Sequence, residues 1–288
     1  MNISSRTLIE HGATSRQQPV AVLTPRVSVL PDRKELWRYR DLLFFLVWRD
    51  VKARYAQSVL GVGWAIIQPL FSMIVFTVVF GSLAKIDSEG RPYAIFSYTA
   101  LVPWTYFSNA VSTSTGSLIT SSGMLSKVYF PRLIIPLTPL LSKLIDFGVG
   151  FSILFVLMLW FQVTPTLNAL YIPLLLMVLM LAAGGMGMWL TSLAVQYRDV
   201  NYGISFGMQL LMYAAPVVYP ASLVPDAYRS FYALNPMVGV IEGFRAGLLG
   251  TTPMPWDLIA IGSCTALLLF VTGALFFRHK EAAFADVV

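Results

Sequence analysis

Charged residues are scarce in this sequence. Asp, Glu, Lys and Arg make up 12% of its 288 residues, whereas about 25% is usual in a soluble domain. Hydrophobic residues account for 57% of the chain, and the mean hydropathy is +0.70. So few charges cannot cover the surface of a water-soluble globule. The composition therefore predicts an integral membrane protein.

Cysteine and histidine are almost missing as well. Cys264 is the single cysteine and lies in an apolar run, while the two histidines, His11 and His279, lie in the polar ends of the chain. One isolated cysteine excludes a disulfide framework and a cysteine-based metal cluster. The sequence also lacks a GxxxxGK[ST] phosphate loop, a GxSxG motif and an HExxH motif. We therefore predict that this chain has no catalytic centre, no metal and no cofactor of its own.

Basic residues are concentrated near the N-terminus. The formal net charge is +6, and ten of the 20 Lys and Arg residues precede residue 55. Because cytoplasmic segments of membrane proteins are rich in Lys and Arg, this distribution indicates a cytoplasmic N-terminus rather than a nucleic acid partner. If the chain crosses the membrane six times from a cytoplasmic N-terminus, the only Lys and Arg residues of its outer segments are Lys85, Arg91, Arg229 and Arg245. We therefore expect both termini in the cytoplasm.

Six apolar stretches approach the length that a membrane-spanning helix needs, which is about 20 residues. They cover residues 61–84, 93–120, 134–162, 170–194, 204–218 and 257–277. Five prolines divide residues 219–255 into pieces too short to span, a pattern typical of re-entrant half-helices. The predicted fold is an all-α membrane protein with six transmembrane helices per chain, an N-terminal amphipathic interfacial helix, and outer re-entrant half-helices between spans five and six. Its predicted parts are a flexible cytoplasmic tail (1–31), the interfacial helix (32–55), the transmembrane domain (56–277) and a second cytoplasmic tail (278–288).

Residues 32–55 have the pattern of an amphipathic helix, with apolar side chains on one face and charged ones on the other at 100° per residue. The apolar face contains Leu36, Tyr39, Leu43, Leu46, Val47 and Val51, and the polar face contains Lys34, Arg38, Asp41, Arg49 and Lys52. Such a helix suits the cytoplasmic headgroup layer of a membrane. Arg40, Phe45 and Asp50 break the pattern.

Two pairs of opposite charges lie three residues apart in apolar segments, so each pair shares a helix face. Lys143 and Asp146 lie in the third predicted span. They could form a structural ion pair or a site that couples transport to an ion. We favour the ion pair, because Asp146 is the only carboxylate well inside a predicted span. Glu242 and Arg245 lie in an outer half-helix, where we favour a local ion pair over a gate at the outer mouth.

The segment WRDVKARYAQSVLGVGWAIIQPL, residues 48–70, resembles the membrane subunits of ATP-binding-cassette exporters for bacterial surface polysaccharides, of the ABC-2 superfamily. The resemblance continues through PYAIFSYTALVPWTYFSNAV, SKVYFPRLIIPLTPLLSKLIDF, QYRDVNYGISFGMQLLMYAAPVVYP and ALNPMVGVIEGFRAGLL. It keeps the family's order and spacing over residues 32–277. It implies a permease subunit that exports a lipid-linked polysaccharide across the bacterial inner membrane.

The same resemblance implies the cargo and the partners. Two copies of the chain form a channel, and two copies of a cytoplasmic ATPase subunit, which binds the ATP and Mg²⁺, lie beneath it. O-antigen is the expected cargo, and a capsule or teichoic acid exporter or a small-molecule efflux permease is the alternative. An integral membrane transferase is the least favoured class, because the sequence offers no cluster of His, Asp or Glu at a membrane face.

The resemblance also implies roles for individual residues. The interfacial helix acts as a gate helix, with candidates Arg38, Arg49, Lys52, Arg54 and Tyr55. Two inner loops contact the ATPase subunit, with candidates Lys127, Val128, Tyr129, Phe130 and Arg132 in the first and Arg198 and Asp199 in the second. The first loop is expected to be exposed, and its alternative role is a membrane-interface belt. The candidates for channel-lining aromatics, which could instead be packing residues, are Phe71, Tyr98, Trp104, Tyr106, Tyr213 and Tyr219.

Overall fold

The computed structural model of the chain describes residues 37–56, 63–125 and 130–281. These residues form an all-helical protein without a β-strand. The predicted tail of residues 1–31 lies outside the described residues, as does most of the predicted tail 278–288. The all-α class predicted from the composition is confirmed.

Ten α-helices are present in the described part of the chain. The first five are α1 (Arg40–Ala56), α2 (Gly63–Phe76, continued by a π-helical segment Thr77–Leu83), α3 (Tyr93–Thr120), the single turn α4 (Ser122–Leu125) and α5 (Ile134–Trp160). The last five are α6 (Ile172–Gln196, preceded by a 3-10 segment Leu167–Tyr171), α7 (Asp199–Tyr213), α8 (Asp226–Tyr232), α9 (Pro236–Leu248) and α10 (Trp256–Lys280).

Four of these helices are long and apolar enough to cross a membrane. They are Gly63–Leu83, Ile134–Trp160, Leu167–Gln196 and Trp256–Lys280, and they match the first, third, fourth and sixth predicted spans. The second and fifth predicted spans, which correspond to α3 and α7, are not among these four, each for its own reason. Helix α3 has 28 residues, but its many Ser and Thr residues lower its mean hydropathy. Helix α7 has 15 residues and is therefore about 22 Å long, shorter than the ~30 Å hydrocarbon core.

The boundary between α6 and α7 corrects a predicted loop. We expected an inner loop, containing Arg198 and Asp199, between the fourth span and a fifth span over residues 204–218. Instead α6 continues to Gln196 and α7 begins at Asp199, so only Tyr197 and Arg198 lie between the two helices. The carboxylate of Asp199 lies in the first turn of α7, where the helix dipole favours a negative charge.

Helix α3 is the centre of the bundle and packs against α2, α5, α6, α7 and α9. Its small polar side chains hydrogen-bond to neighbouring helices: the hydroxyl of Ser114 donates to the carbonyl of Pro136 at 2.9 Å, and the hydroxyl of Thr191 donates to the carbonyl of Ser114 at 2.7 Å. Small and hydroxyl-bearing residues are typical of helix–helix contacts in membranes. The polar composition of α3 therefore reflects its burial in protein rather than a position in water.

Helices α6 and α10 approach each other closely at two glycines. A Cβ atom added to Gly185 would lie 2.5 Å from the carbonyl carbon of Leu269 and 2.5 Å from the amide nitrogen of Phe270. A Cβ atom added to Gly273 would lie 2.5 Å from the carbonyl oxygen of Gly185. These atoms are backbone, so only a shift of a whole helix could relieve the clash.

Gly185→Ala is therefore expected to destabilise the protein by roughly 1–3 kcal/mol through overpacking. Gly148→Ala is the matched control, because Gly148 is also helical and no atom lies within 4 Å of its added Cβ. The control should keep or slightly raise the melting temperature. Thermal unfolding of both variants in detergent tests this, and equal melting temperatures would contradict the close crossing.

Candidate functional site

Helix α1 has a buried side and an exposed side, and the sequence pattern predicts which of its apolar and charged residues lie on each. Leu46 and Val51 are buried and Tyr39, Leu43 and Val47 are half-buried, whereas Arg38, Asp41, Arg49 and Lys52 are exposed. Leu36 and Lys34 lie outside the described residues. The exposed side also presents four large aromatic side chains, Trp37, Phe44, Phe45 and Trp48. The predicted burial of Leu46 and Val51 is confirmed, but the exposed aromatic rings make the opposite side of α1 less polar than the sequence pattern predicts.

The apolar face of α1 packs against protein. Leu46 belongs to a buried cluster that we call the α1 cluster, formed with Leu118, Phe130, Leu133, Ile134, Ile135, Met188, Val195, Ala274 and Phe277. These residues come from the C-terminal parts of α3, α6 and α10, from the start of α5 and from the segment just before it. The apolar face that we predicted to lie on lipid therefore covers one end of the helical bundle.

The C-terminal end of α1 joins α5 through a network of charged and polar side chains. One Arg54 nitrogen, Nη1, lies 2.6 Å from Oδ2 of Asp146, and the other, Nη2, lies 2.7 Å from Oδ2 of Asp50. Nη2 also donates to the hydroxyl of Ser142 at 3.2 Å, and that hydroxyl donates to Asp50. The hydroxyl of Tyr55 donates to Oδ1 of Asp146. We call these residues, with Lys143, the α1–α5 network.

The network balances its charges in a partly buried place. Lys143 Nζ lies 3.5 Å from Asp146 Oδ2, so the predicted ion pair is confirmed. Side-chain exposure is 25% for Arg54, 19% for Asp146 and 13% for Lys143, which makes these pairs less screened by water and salt than surface pairs. Burial, and then the Asp146 carboxylate, raise the pKa of Tyr55 to about 12, so this phenol stays a neutral hydrogen-bond donor at physiological pH.

A half-open cavity of about 300 Å³ lies beside the network, between α1, α2, α3 and α5. The charged groups Arg54, Lys143 and Asp146 and the phenol of Tyr55 form one side of it. The rest of its wall is formed by Trp64, Ala65, Gln68, Pro69, Val102, Thr105, Tyr106, Asn109, Phe147 and Gly150. Its volume is at the small end of the range for ligand sites, about 300–1,000 Å³.

The opposite end of the bundle contains a second buried ion pair. Arg245 is fully buried, and its Nη1 lies 2.9 Å from Oε1 of Glu242. Its guanidinium also donates to the carbonyls of Val217 at 3.0 Å and Tyr219 at 3.3 Å, and its Cζ lies 3.6 Å from the centroid of the Phe96 ring. The local ion pair that we favoured is present, and it also connects α9 to the segment that follows α7.

Two further contacts hold that segment. The amide of Ala221 donates to Glu242 at 3.0 Å, and the hydroxyl of Tyr93 donates to the carbonyl of Val218 at 2.6 Å. Four backbone groups between Val217 and Ala221 are thus bound by side chains of α3 and α9. We call this arrangement the Arg245 clamp.

The predicted channel-lining aromatics fall into two groups. Phe71 on α2 and Tyr213 on α7 are exposed, and Tyr219 is half-buried with its hydroxyl donating to the carbonyl of Tyr213 at 2.9 Å. Tyr98, Trp104 and Tyr106 on α3 are buried inside the chain. The hydroxyl of Tyr98 donates to the carbonyl of Gly150 at 3.3 Å, and that of Tyr106 donates to the carbonyl of Leu140 at 2.9 Å. Of these three, Tyr106 lines the cavity.

The predicted coupling residues are only partly described. Lys127, Val128 and Tyr129 lie outside the described residues. Phe130, which we expected in an exposed loop, is 4% exposed because its ring packs into the α1 cluster; that expectation of exposure is wrong. Arg132 donates to the carbonyl of Glu281 and so ties this loop to the end of α10. Arg198 and Asp199 are exposed.

Several residues of these sites were not among the predicted ones. Asp50 had a signal, because it interrupts the apolar pattern of α1, and the structure explains the interruption by its contacts with Arg54 and Ser142. Gln68 and Asn109 are amides within apolar segments, which marks them as candidates for an internal polar site. Tyr93 gave no signal, since nothing in the sequence connects it to Val218.

Comparison with known proteins decides the family. The model of the ABC-2 type transporter family matches residues 41–249. The chain belongs to the ABC-2 type transporter family. The match begins within α1 and ends just after α9, so it includes the α1–α5 network, the cavity and the Arg245 clamp.

Curated relatives of this ABC-2 type transporter chain are similar over most of their length. The O-antigen export system permease protein RfbA of Myxococcus xanthus is 28% identical over 251 residues, which cover 86% of this chain and 96% of the relative. An RfbA protein of Klebsiella pneumoniae is 26% identical, with 86% and 95% covered. The polysialic acid transport protein KpsM of Escherichia coli is 24% identical, with 81% and 92% covered.

Family membership fixes the general role of this ABC-2 type transporter chain. It is a multi-pass membrane protein and a transport subunit rather than an enzyme. Membership also implies that it works with an ATP-binding subunit. The resemblance found in the sequence is confirmed.

Proposed function

We propose that the chain is the permease subunit of an ATP-driven exporter of lipid-linked polysaccharide, with O-antigen as its cargo, in the bacterial inner membrane. The observation that carries this proposal is the similarity to RfbA proteins over 95–96% of their length. Capsular polysaccharide is the second candidate, supported by the similarity to KpsM over 92% of its length.

We also propose that six helices cross the membrane and that the α1 cluster lies on the cytoplasmic side. Helices α3 and α7 complete the six, because α3 is the centre of the bundle and α7 packs against α3 and α6 on one side. Helices α8 and α9 are the outer half-helices. The end of the molecule that holds the α1 cluster carries exposed or half-exposed cations, among them Arg49, Lys52, Arg132 and Arg198. That distribution supports a cytoplasmic position.

Two copies of the chain complete the exporter in this proposal. Helices α2 and α7 are the least covered of the proposed spans: Pro69 is the one buried residue of α2, and Met208 the one buried residue of α7. Both helices expose large apolar side chains, including Phe71 and Tyr213. A second copy placed against these faces would cover them and would put both rings beside the path of the glycan.

The α1–α5 network supplies the mechanical connection. A motion of the ATP-binding subunit beneath the bundle reaches α1 through its exposed basic face, and Arg54 transmits that motion to Asp146 on α5. Movement of α5 alters the cavity, because Lys143, Asp146, Phe147 and Gly150 belong to both. ATP and Mg²⁺ act on the partner subunit, and this chain supplies the path.

The test is ATP hydrolysis by the reconstituted exporter. We expect the chain and its ATP-binding partner, purified together in lipid nanodiscs, to hydrolyse ATP faster when lipid-linked O-antigen is added than when lipid-linked capsular polysaccharide or teichoic acid is added. Stimulation by the capsular substrate instead would favour the second candidate. No stimulation by any lipid-linked glycan would contradict the proposal.

A further inference from the structure

The cavity contains hydrogen-bonding groups that the protein itself does not use. Gln68 enters it from α2, and Thr105 and Asn109, four residues apart on one face of α3, enter from the other side. Within the described residues, none of these three side chains has a hydrogen-bond partner. Two amides and a hydroxyl both donate and accept hydrogen bonds. A ligand that uses them must offer donors and acceptors at short spacing.

The charged groups of the cavity are already paired. Asp146 accepts from Arg54 and Tyr55 and lies beside Lys143, while Arg54 is shared with Asp50. Two cations therefore face two carboxylates, and the local charge is balanced. An anionic ligand would have to give up its hydration without gaining a free positive charge. The charge balance favours a neutral polar ligand.

The remaining wall is apolar and partly aromatic. Trp64 lies at the opening, with more than half of its surface exposed, and Pro69 and Phe147 line the interior. Aromatic rings beside paired donor and acceptor groups fit a molecule with apolar C–H faces and a hydroxyl-bearing rim. A sugar ring has this chemistry. The volume of about 300 Å³ suits a single ring and excludes a length of polymer.

We propose that this cavity is a binding site for one sugar ring of the exported glycan, in which Gln68, Thr105 and Asn109 bind the hydroxyls and Trp64 covers the ring. The proposal rests on the polysaccharide cargo proposed above and assigns it a fixed site inside one chain. Because Asp146 and Lys143 belong to both the cavity and the α1–α5 network, an occupied site contacts the helices that the ATP-binding subunit moves. Binding of the cargo is thereby connected to the coupling path.

The experiment measures the binding of simple sugars to the intact exporter in nanodiscs. The sugar probes are methyl mannoside, methyl galactoside, methyl rhamnoside and N-acetylglucosamine, and ligand-observed NMR detects their binding. Inorganic phosphate is the anionic probe, and ³¹P NMR detects its binding. We expect at least one sugar to bind and phosphate not to compete with it.

Asn109→Leu and Thr105→Val, which keep the size of the side chain, should each weaken that binding at least about tenfold. Thr265→Val is the matched control, because Thr265 on α10 bonds to the carbonyl of Ile261 and lies outside the cavity; it should leave binding unchanged.

Three results would overturn the sugar site: no probe sugar binds, both cavity variants bind sugar as the wild type does, or phosphate displaces the sugar. Thr105→Val removes one oxygen and keeps the shape of the side chain, so it separates lost recognition from lost folding if Asn109→Leu is unstable. The cargo is tested separately, through stimulation of ATP hydrolysis by lipid-linked glycan in the wild type. If the glycan stimulates the wild type and both cavity variants equally and no sugar binds, the cargo proposal stands and the cavity proposal fails.

Discussion

Arg245→Leu is expected to destabilise the protein by about 3–5 kcal/mol, the cost of leaving one partner of a buried ion pair unpaired. Arg245 is fully buried, and its loss leaves the carbonyls of Val217 and Tyr219 without this donor. The carboxylate of Glu242 loses its cation and, within the described residues, keeps only the amide of Ala221 as a donor. It also removes the cation over the ring of Phe96. Unfolding in mixed detergent and SDS micelles measures the change.

Two controls separate the clamp from a general effect of charge removal. The double variant Arg245→Leu with Glu242→Leu leaves no buried charge, so it should recover part of the lost stability. Arg229→Leu removes a cation that pairs with Asp257 at 3.3 Å, where both side chains are about half exposed, and should cost less than about 1 kcal/mol. A loss for Arg245→Leu as small as that for Arg229→Leu would show that the clamp does not hold the segment after α7.

Arg54→Leu is expected to lower export at least about tenfold while ATP hydrolysis by the partner subunit continues. Arg54 is the residue that joins Asp50 on α1 to Asp146 on α5, at 2.7 and 2.6 Å. Without it, Lys143 is the one remaining cation of the network, and of the network's bonds only those of Tyr55 to Asp146 and of Ser142 to Asp50 still join α1 to α5, so motion of α1 reaches α5 weakly. The measurement is the ratio of glycan exported to ATP hydrolysed in proteoliposomes.

The matched control for this variant is Arg40→Leu on the same helix. Arg40 is exposed and pairs only loosely with Asp41, at 3.6 Å, so its loss should change export less than about twofold. The charge exchange Arg54→Asp with Asp146→Arg should restore part of the export that either single change removes. Equal ratios of export to hydrolysis for Arg54→Leu and Arg40→Leu would rule out a coupling role for Arg54.

Helix α1 shows how far a periodic pattern can predict structure. The 100° period separated its buried side chains, such as Leu46 and Val51, from its exposed ones, such as Arg49 and Lys52. The pattern could not tell whether lipid or protein covers the apolar face, because both environments are apolar. The exception in the pattern, Asp50, turned out to be part of the α1–α5 network.

The spans were predictable where composition alone identifies a membrane helix. Four apolar helices were found close to their predicted bounds. Helix α3 is different, because its Ser and Thr residues are buried against other helices and hydropathy records them as polar. Helix α7 was misplaced by five residues at each end, because the polar residues of its first turn looked like a loop.

The long-range contacts of the sites could not be predicted from one sequence. Spacing of three residues indicated that Glu242 and Arg245 could pair, but the carbonyls that Arg245 binds lie 26 and 28 residues away. In the same way, Lys143 and Asp146 were paired from their spacing, whereas Arg54 reaches Asp146 across 92 residues. Phe130 looked exposed because two cations flank it in its loop, yet its ring contributes to the α1 cluster.

In the proposed exporter this chain provides the export path, and hydrolysis by a separate ATP-binding subunit drives transport. The most direct measurement is O-antigen at the cell surface of a strain that lacks its own permease and ATP-binding subunits. We expect surface O-antigen when this chain is produced together with its ATP-binding partner. None should appear with the chain alone, or with a partner whose phosphate-loop lysine is replaced. Export by the chain without a working partner, or none with the working pair, would contradict the account.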